Sequence, residues 1–402
     1  MRDLSARLKV SPATVAAAYR LLRQRGLITA AGRAGTRVAS RPPSPAARRL
    51  APLAEGVVDL ASGNPDPELL PSLTAALRDL EIPTHLYGDR TELPGLMRFL
   101  KSEFEADGIP ASSLALTSGA LDGIERALRE HLRPGDAVGV EDPCFPGLLD
   151  LVAAAGYARV PLAVDDEGAA PESVREVLPR VKAVILTPRG QNPTGAAFSP
   201  ERAKELRQLL RARSDVLVIE NDPAGPVAGA PLRSVASGSP RWIAIRSTSK
   251  FLGPDLRLAA LAGDELTIAR VEGRQALGAR WVSTILQQLT LALWSDPSSG
   301  RWLARAADVY TQRRRALLAA LASYGIGAHG NSGLNVWIPV RHEAAVVQAL
   351  TARGWGVLAG ESCRLRSAPA IRVTIARLPP EDAARFAADL ADAQRPTVKI
   401  SA

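Results

Sequence analysis

"RWIAIRSTSKFLGPDLR", residues 241–257, begins as an apolar run and ends in hydroxyls, a lysine and an arginine. Trp242, Ile243, Ala244 and Ile245 suit a strand buried on both faces, as in a parallel sheet covered by helices. Ser247, Thr248 and Ser249 then crowd around Lys250, and Arg257 follows seven residues later. A lysine placed directly behind a buried strand is a poor core residue and a good amine for imine formation.

Outward from this stretch the same pattern recurs. "DAVGVE" (136–141), "KAVILTP" (182–188) and "DVLVIEND" (215–222) are compact, β-branched-rich segments. The spacing predicts helices between them over 119–132, 146–155, 200–213 and 231–238. Such alternation argues for an α/β fold with a mostly parallel sheet. Ligands of these sheets bind beyond the carboxyl ends of the strands, so the polar residues closing each strand are candidates by position.

The strand ends supply a set. "LTSGALDGIERAL" (116–128) places Ser118, Gly119 and Ala120 at a helix start, where free N–H groups and the helix dipole seat an anion. "EDPCFPG" (141–147) presents Phe145 just after a strand, and "TPRGQNPTG" (187–195) holds Asn192 in a turn. A lysine, an anion seat, an aromatic and an acid for a ring nitrogen together read as a pyridoxal 5'-phosphate site.

The whole chain limits the alternatives. It has 402 residues, 46 % of them apolar, with no stretch suited to a membrane span or secretory signal. Two cysteines, Cys144 and Cys363, suit a reducing cytosol, and four scattered histidines lack metal-ligand spacing. The net charge of +9 is uneven: residues 1–50 carry eleven Lys/Arg against one acid, the remainder thirty-nine against forty. That excess points to a polyanion partner for the N-terminal segment.

This segment is patterned. Ser11 is placed to cap a helix with Pro12 at its first position, and Val15, Tyr19 and Leu22 make one stripe before Gly26. "LITAAGRAGTRVAS" (27–40) then reads as two short strands around a turn. A helix, a tight turn, a second helix and a basic hairpin make a helix-turn-helix with a wing. Ser11, Thr14 and Arg20 on the second helix would meet DNA in a major groove, and Arg33 and Arg37 would meet phosphates. Residues 40–56, rich in Pro, Ala and Arg, read as a linker.

"VSPATVAAAYRLLRQRGLI" followed by "GRAGTRV" resembles the winged helix-turn-helix of GntR-type bacterial regulators over about 40 residues. The family module has a further helix ahead of this point, so the resemblance implies a partial module over 1–39. The ordered set of strand ends resembles aminotransferases of fold type I over roughly residues 57–390. The two resemblances together match the MocR subfamily. They imply an aminotransferase-like domain over 57–402, with a large subdomain at about 85–290 and a small one at about 300–395. They also imply a cytoplasmic homodimer that senses an amine, amino acid or vitamer and acts on DNA. The alternative is a working aminotransferase with a vestigial DNA-binding module.

Residue by residue, the resemblance makes Lys250 the imine lysine. Arg257 becomes the phosphate-binding arginine, with Ser118, Gly119, Ala120, Ser247 and Ser249 around the same group. Phe145 stands where a stacking aromatic, usually tyrosine, is found. Asn192 matches the asparagine bonded to the ring's phenolic oxygen. Tyr87 resembles a tyrosine that reaches the phosphate across a dimer interface. Arg372 lies where a substrate carboxylate is bound, with Arg364 and Arg366 as rivals.

One strand end departs from the pattern. Many MocR-like chains have Glu-Asp-Asp followed by Tyr or His, whereas "VIENDPAG" (218–225) has Glu-Asn-Asp-Pro. An ungapped match makes Asn221 the partner of the pyridine nitrogen and puts Pro223 where a residue would assist Asn192. An amide cannot hold a proton on the ring by charge. Asp222 is the other candidate, although successive strand residues face opposite ways and Pro223 keeps Asp222 extended.

Overall fold

The computed structural model describes residues 2–24, 28–30, 35–38, 53–78, 80–89 and 91–395. Two helices open it, α1 (Arg2–Leu8) and α2 (Pro12–Gln24), followed by strands β1 (Ile28–Ala30) and β2 (Thr36–Val38). Ser11 caps α2, its Oγ accepting from the Thr14 N–H at 3.1 Å, and Val15 is the buried residue of the predicted stripe. β1 and β2 pair antiparallel with Ile28 opposite Val38. Thr14 and Arg37 are exposed, Arg20 lies on α2, and Arg33 falls outside the described residues.

The next elements are β3 (Val58–Asp59), α3 (Leu73–Arg78), α4 (Pro94–Ala106), β4 (Leu114–Thr117) and α5 (Ala120–His131). Then come β5 (Ala137–Asp142), α6 (Pro146–Ala154), β6 (Ala158–Asp165), β7 (Gly168–Ala169), α7 (Pro171–Val177) and β8 (Ala183–Leu186). The large sheet is completed through α8 (Pro200–Arg211), β9 (Leu217–Asp222), β10 (Trp242–Ser247) and β11 (Ala259–Gly263). Its order is β4-β11-β10-β9-β8-β5-β6-β7, with β10, β9, β8, β5 and β6 parallel and β11 antiparallel to both neighbours.

Both faces are apolar, which is why the central strands read as continuous runs rather than alternations. Ala183, Ile185, Leu217, Ile219, Ile243 and Ile245 pack with Ile124 and Leu128 of α5 and Leu148 and Val152 of α6. Val184, Leu186, Val218 and Ala244 face the opposite way, into the larger core with Leu178 and Leu206. This alternation determines which side chain of 220–222 faces which layer.

The predicted helix over 231–238 does not form. Three donors of that loop, the N–H groups of Val235 and Ala236 and the hydroxyl of Ser234, go instead to the buried Glu220 carboxylate. Donors drawn to a carboxylate are lost to the i−4 carbonyls a helix requires.

Beyond β11, helices α9 (Glu265–Ala276), α10 (Thr284–Ser295) and the 25-residue α11 (Ser299–Ser323) lead to a smaller sheet. Its strands are β12 (Asn335–Pro339), β14 (Leu358–Ala359) and β15 (Ala370–Thr374), with α12 (Glu343–Thr351) before β13 (Trp355–Gly356) and α13 (Ala383–Ala393) last. β13 pairs in parallel with β3, and Trp337 of β12 lies opposite Arg372 of β15.

Candidate functional site

Lys250 stands three residues beyond β10, in a loop held by the buried Thr248, whose hydroxyl donates to the Leu258 carbonyl at 2.8 Å. Ser249 N–H donates to the Ser247 hydroxyl at 3.3 Å. Lys250 is half-buried and donates Nζ to the Gly63 carbonyl at 2.5 Å. Burial depresses its amine to about 8, and the charge of Arg372 acts in the same direction.

Gly63 links that lysine to Arg372. Its φ is +71°, and a Cβ there would sit 3.2 Å from the arginine's terminal nitrogen. Arg372 is 3 % exposed on β15 and donates to Asn192 Oδ1 at 3.1 Å and to the Ala61 carbonyl. Its buried Nε has no partner. Burial holds its pKa below the usual guanidinium value. Its rivals are placed differently: Arg364 pairs with Glu343 at 3.0 Å, and the Arg366 side chain is exposed while its backbone N–H donates to Asp142.

A second cluster forms at the start of α5. Gly119 takes φ +96° and carries no side-chain cap, so the first turn presents its N–H groups openly. Arg257, itself at φ +43°, lays its guanidinium across the turn and donates to the Ser118 carbonyl at 3.1 Å. A Cβ on Gly119 would meet that guanidinium at 2.5 Å. An open helix N-terminus facing an exposed arginine is a seat for a phosphate. Asp122 braces it, accepting from Ser118 N–H at 3.0 Å and from Arg126 at 2.9 Å.

Phe145 is 39 % exposed at the N-terminus of α6, so its ring is available to a flat partner. Its loop is fixed by Cys144 N–H donating to the Cys363 carbonyl at 2.7 Å. Gln191, adjacent to Asn192, bridges the buried Glu141 carboxylate at 3.1 Å and the Pro143 carbonyl at 2.8 Å. Burial pushes Glu141 up to about 7 despite three stabilising hydrogen bonds. Tyr87 is 80 % exposed, stacked edge-on to Trp281 at 5.7 Å with Arg280 over its ring at 5.1 Å. The single chain brings it to neither cluster.

The two candidates on β9 separate cleanly. Asp222 is buried on the Val218 face, accepting from Arg189 at 2.8 and 3.2 Å, from Arg246 at 3.2 Å and from Gly225 N–H at 3.0 Å. Burial raises its pKa, but Arg189 and Arg246 outweigh this and hold it below the usual carboxylate value. Arg246 also binds Asp107. Asp222 is therefore withdrawn from the cofactor set: its oxygens are committed to two arginines on the far side of the sheet. Asn221 continues the Ile219 face toward α5, and its Oδ1 is buried without a partner. The buried Arg189 and Arg246 and the half-buried Asp107 were not anticipated. The one sequence signal was an arginine inside the apolar strand β10, which lies in register with Asp222.

The residues present fit pyridoxal phosphate. An amine, a phosphate seat, an exposed aromatic, and an unpartnered amide oxygen and guanidinium Nε are the donors and acceptors that such a group needs. Fold and site thus define a pyridoxal phosphate-binding protein of the fold-type I class. The chain belongs to the aminotransferase class I and II family, whose model matches residues 55–390.

It is 40 % identical over 396 residues to the vitamin B6 salvage pathway transcriptional repressor PtsJ of Salmonella typhimurium, covering 97 % of this chain and 91 % of that one. It is 26 % identical over 352 residues to the mouse mitochondrial kynurenine/alpha-aminoadipate aminotransferase, covering 75 % and 82 %. The Pyrococcus horikoshii kynurenine aminotransferase structure superposes with a TM-score of 0.78 at 21 % identity, covering 87 % and 93 %. The Thermus thermophilus LysN structure, an alpha-aminoadipate aminotransferase complexed with N-(5'-phosphopyridoxyl)-L-leucine, gives 0.74 at 22 %, covering 85 % and 92 %.

Proposed function

We propose that this protein is a pyridoxal phosphate-binding transcriptional regulator that represses vitamin B6 salvage genes in response to a vitamer, amine or amino acid. The observation that carries this reading is the reach of the PtsJ likeness. It spans 97 % of the chain, which leaves about a dozen residues unmatched, so it reaches well into the basic N-terminal segment as well as covering the aminotransferase-like body. The uneven charge supports the same division: all of the positive excess lies in the first 50 residues.

In this reading Ser11, Thr14 and Arg20 face DNA bases and nearby phosphates, and Arg33 and Arg37 hold backbone phosphates. Lys250 supplies the amine that anchors the cofactor, and its depressed pKa leaves a substantial neutral fraction near physiological pH. Arg257, Ser118, Gly119, Ala120, Ser247 and Ser249 hold the phosphate, Phe145 covers the ring, and Asn192 meets the phenolic oxygen. Arg372 receives a ligand carboxylate through its fork, with Asn192 fixing its orientation at 3.1 Å. When bound, the group supplies a carbonyl carbon conjugated to an electron-accepting ring. Tyr87 completes the site of a second copy, so the working unit is a homodimer of cytoplasmic protein. Among the described residues no helix is long and apolar enough to cross a membrane, and no His/Cys/Asp/Glu cluster could hold a metal.

The test is a visible spectrum of the full chain with added pyridoxal phosphate, alongside a mobility shift on DNA upstream of its genome's vitamin B6 salvage genes. A band lost in Lys250→Ala, and a shift altered by pyridoxal phosphate, are expected. Steady release of a keto acid from amino acids without any DNA shift would establish the enzyme reading instead.

A further inference from the structure

We propose that Asn221 makes this a site for the uncharged pyridine ring: its amide meets the ring nitrogen and, unlike a carboxylate, supplies no charge to hold a proton there. The inference rests on the pyridoxal phosphate reading above and deepens it. Three observations carry it. The first is direction: Leu217, Ile219 and Asn221 share the face that packs on α5, the helix whose N-terminus lies under Arg257. The second is the unpartnered Oδ1 of Asn221, buried at the carboxyl end of the strand beside β10, whose continuation carries Lys250. A buried polar group without a partner costs roughly 1–3 kcal/mol, so an incoming ligand that supplies one is favoured.

The third is the commitment of the neighbouring charges. Glu220 and Asp222 face the other layer, where Glu220 takes Ser234, Val235 and Ala236, and Asp222 takes Arg189 and Arg246. Asp107, Arg246, Arg189 and Asp222 form a set of two anions and two cations. Outside that set the nearest acid on β9 is Glu220, which faces the same opposite layer and is pushed up to about 7 by burial. Among the cations that remain, Arg372 and Lys250 lie together through Gly63. A pyridinium placed here would have no carboxylate of β9 directed at its N–H, and a buried cation without such a partner is disfavoured. An amide solves the problem by turning its NH₂ toward the neutral nitrogen's lone pair, the two amide orientations being interchangeable on heavy-atom positions alone. A neutral ring is a weak electron sink, so amines can be held without being transformed. That is the behaviour of a sensor.

The experiment is ¹⁵N NMR of the full chain loaded with pyridoxal phosphate labelled at the ring nitrogen, between pH 6 and 8. Wild type is expected to give the unprotonated pyridine signal throughout. Asn221→Asp should move it to the protonated position, because a carboxylate supplies the missing charge. Asn221→Ala should leave it unprotonated while weakening cofactor affinity about fivefold to tenfold, the worth of one hydrogen bond. A protonated ring in wild type overturns the assignment without need of any variant. So does an Asn221→Ala protein of unchanged affinity. Absence of both a bound ¹⁵N signal and a Lys250-dependent visible band overturns the cofactor reading itself. A Lys250-dependent band with a protonated ring overturns only the role of Asn221.

Discussion

Replacing Asp222 with asparagine separates the two readings of the β9 strand end most sharply. The carboxylate receives four hydrogen bonds, three from Arg189 and Arg246 and one from Gly225 N–H. Both arginines are buried, at 6 % and 2 % exposure, so neither can turn to water when the carboxylate charge is removed. Asparagine retains the shape and one acceptor but removes the carboxylate charge that both guanidinium groups share, leaving Asp107 as the carboxylate in contact with them. Breaking one side of a buried ion pair costs about 3–5 kcal/mol, and a loss in that range is expected in urea unfolding monitored by far-UV circular dichroism. The sign with pH is fixed by the lowered pKa of Asp222. Its contribution is present above the unfolded carboxylate value and disappears as pH falls through the folded one, so Asp222→Asn should flatten the acid limb of the stability profile. A variant within about 1 kcal/mol of wild type, or one that keeps its stability while losing the cofactor band, would refute the reasoning and return Asp222 to the ligand.

The rate at which Lys250 captures pyridoxal phosphate should rise as pH passes through about 8, since only the neutral amine reacts; stopped-flow spectra across pH 6–11 check this, and a midpoint at the ordinary lysine value contradicts it. Gly119→Ala meets both a φ of +96° and the Arg257 guanidinium at 2.5 Å. It should weaken pyridoxal phosphate by about tenfold or more, roughly 1.4 kcal/mol, while sparing unphosphorylated pyridoxal, as read by competition titration. Glu272, which faces Glu92, is raised to about 7 by burial first and by that neighbour second. A raised acid is protonated more readily in the folded state, so its contribution is present at low pH and is lost as pH rises from the unfolded carboxylate value through about 7. Thermal unfolding of Glu92→Gln should lose part of that decline.

Much of the architecture was legible because buried parallel strands announce themselves as apolar runs. The observed β5, β8, β9 and β10 lie within two residues of the expected limits at each end. Strands β6 and β11 were not anticipated: "ARVPLAVD" lies at the margin with exposed positions, and "AALAG" is alanine-rich and reads equally well as helix or coil. The helix expected at 231–238 failed for a long-range reason. Its donors answer to Glu220, about fifteen residues earlier, and no local pattern reveals that.

The same boundary runs through the site. Order along the chain was enough to nominate Lys250, Arg257 and Asn192, because each follows a strand whose end is readable from its neighbours, whereas Arg372 was nominated by the family resemblance alone. Alternation along β9 narrowed the choice at 221–222 but could not make it, since period two says that two residues face apart and not which layer each one meets. That was decided by Arg189 from the turn after β8 and Arg246 from β10, which take Asp222 into a buried ion cluster. Likewise, only the packed structure shows that the Arg364 guanidinium is paired with Glu343 and that the Arg366 side chain is exposed, whereas Arg372 is buried beside Asn192. Local sequence determines which chemistry is available at each strand end. Only the packed structure decides which of those groups is already spent on its neighbours and which is left for a ligand.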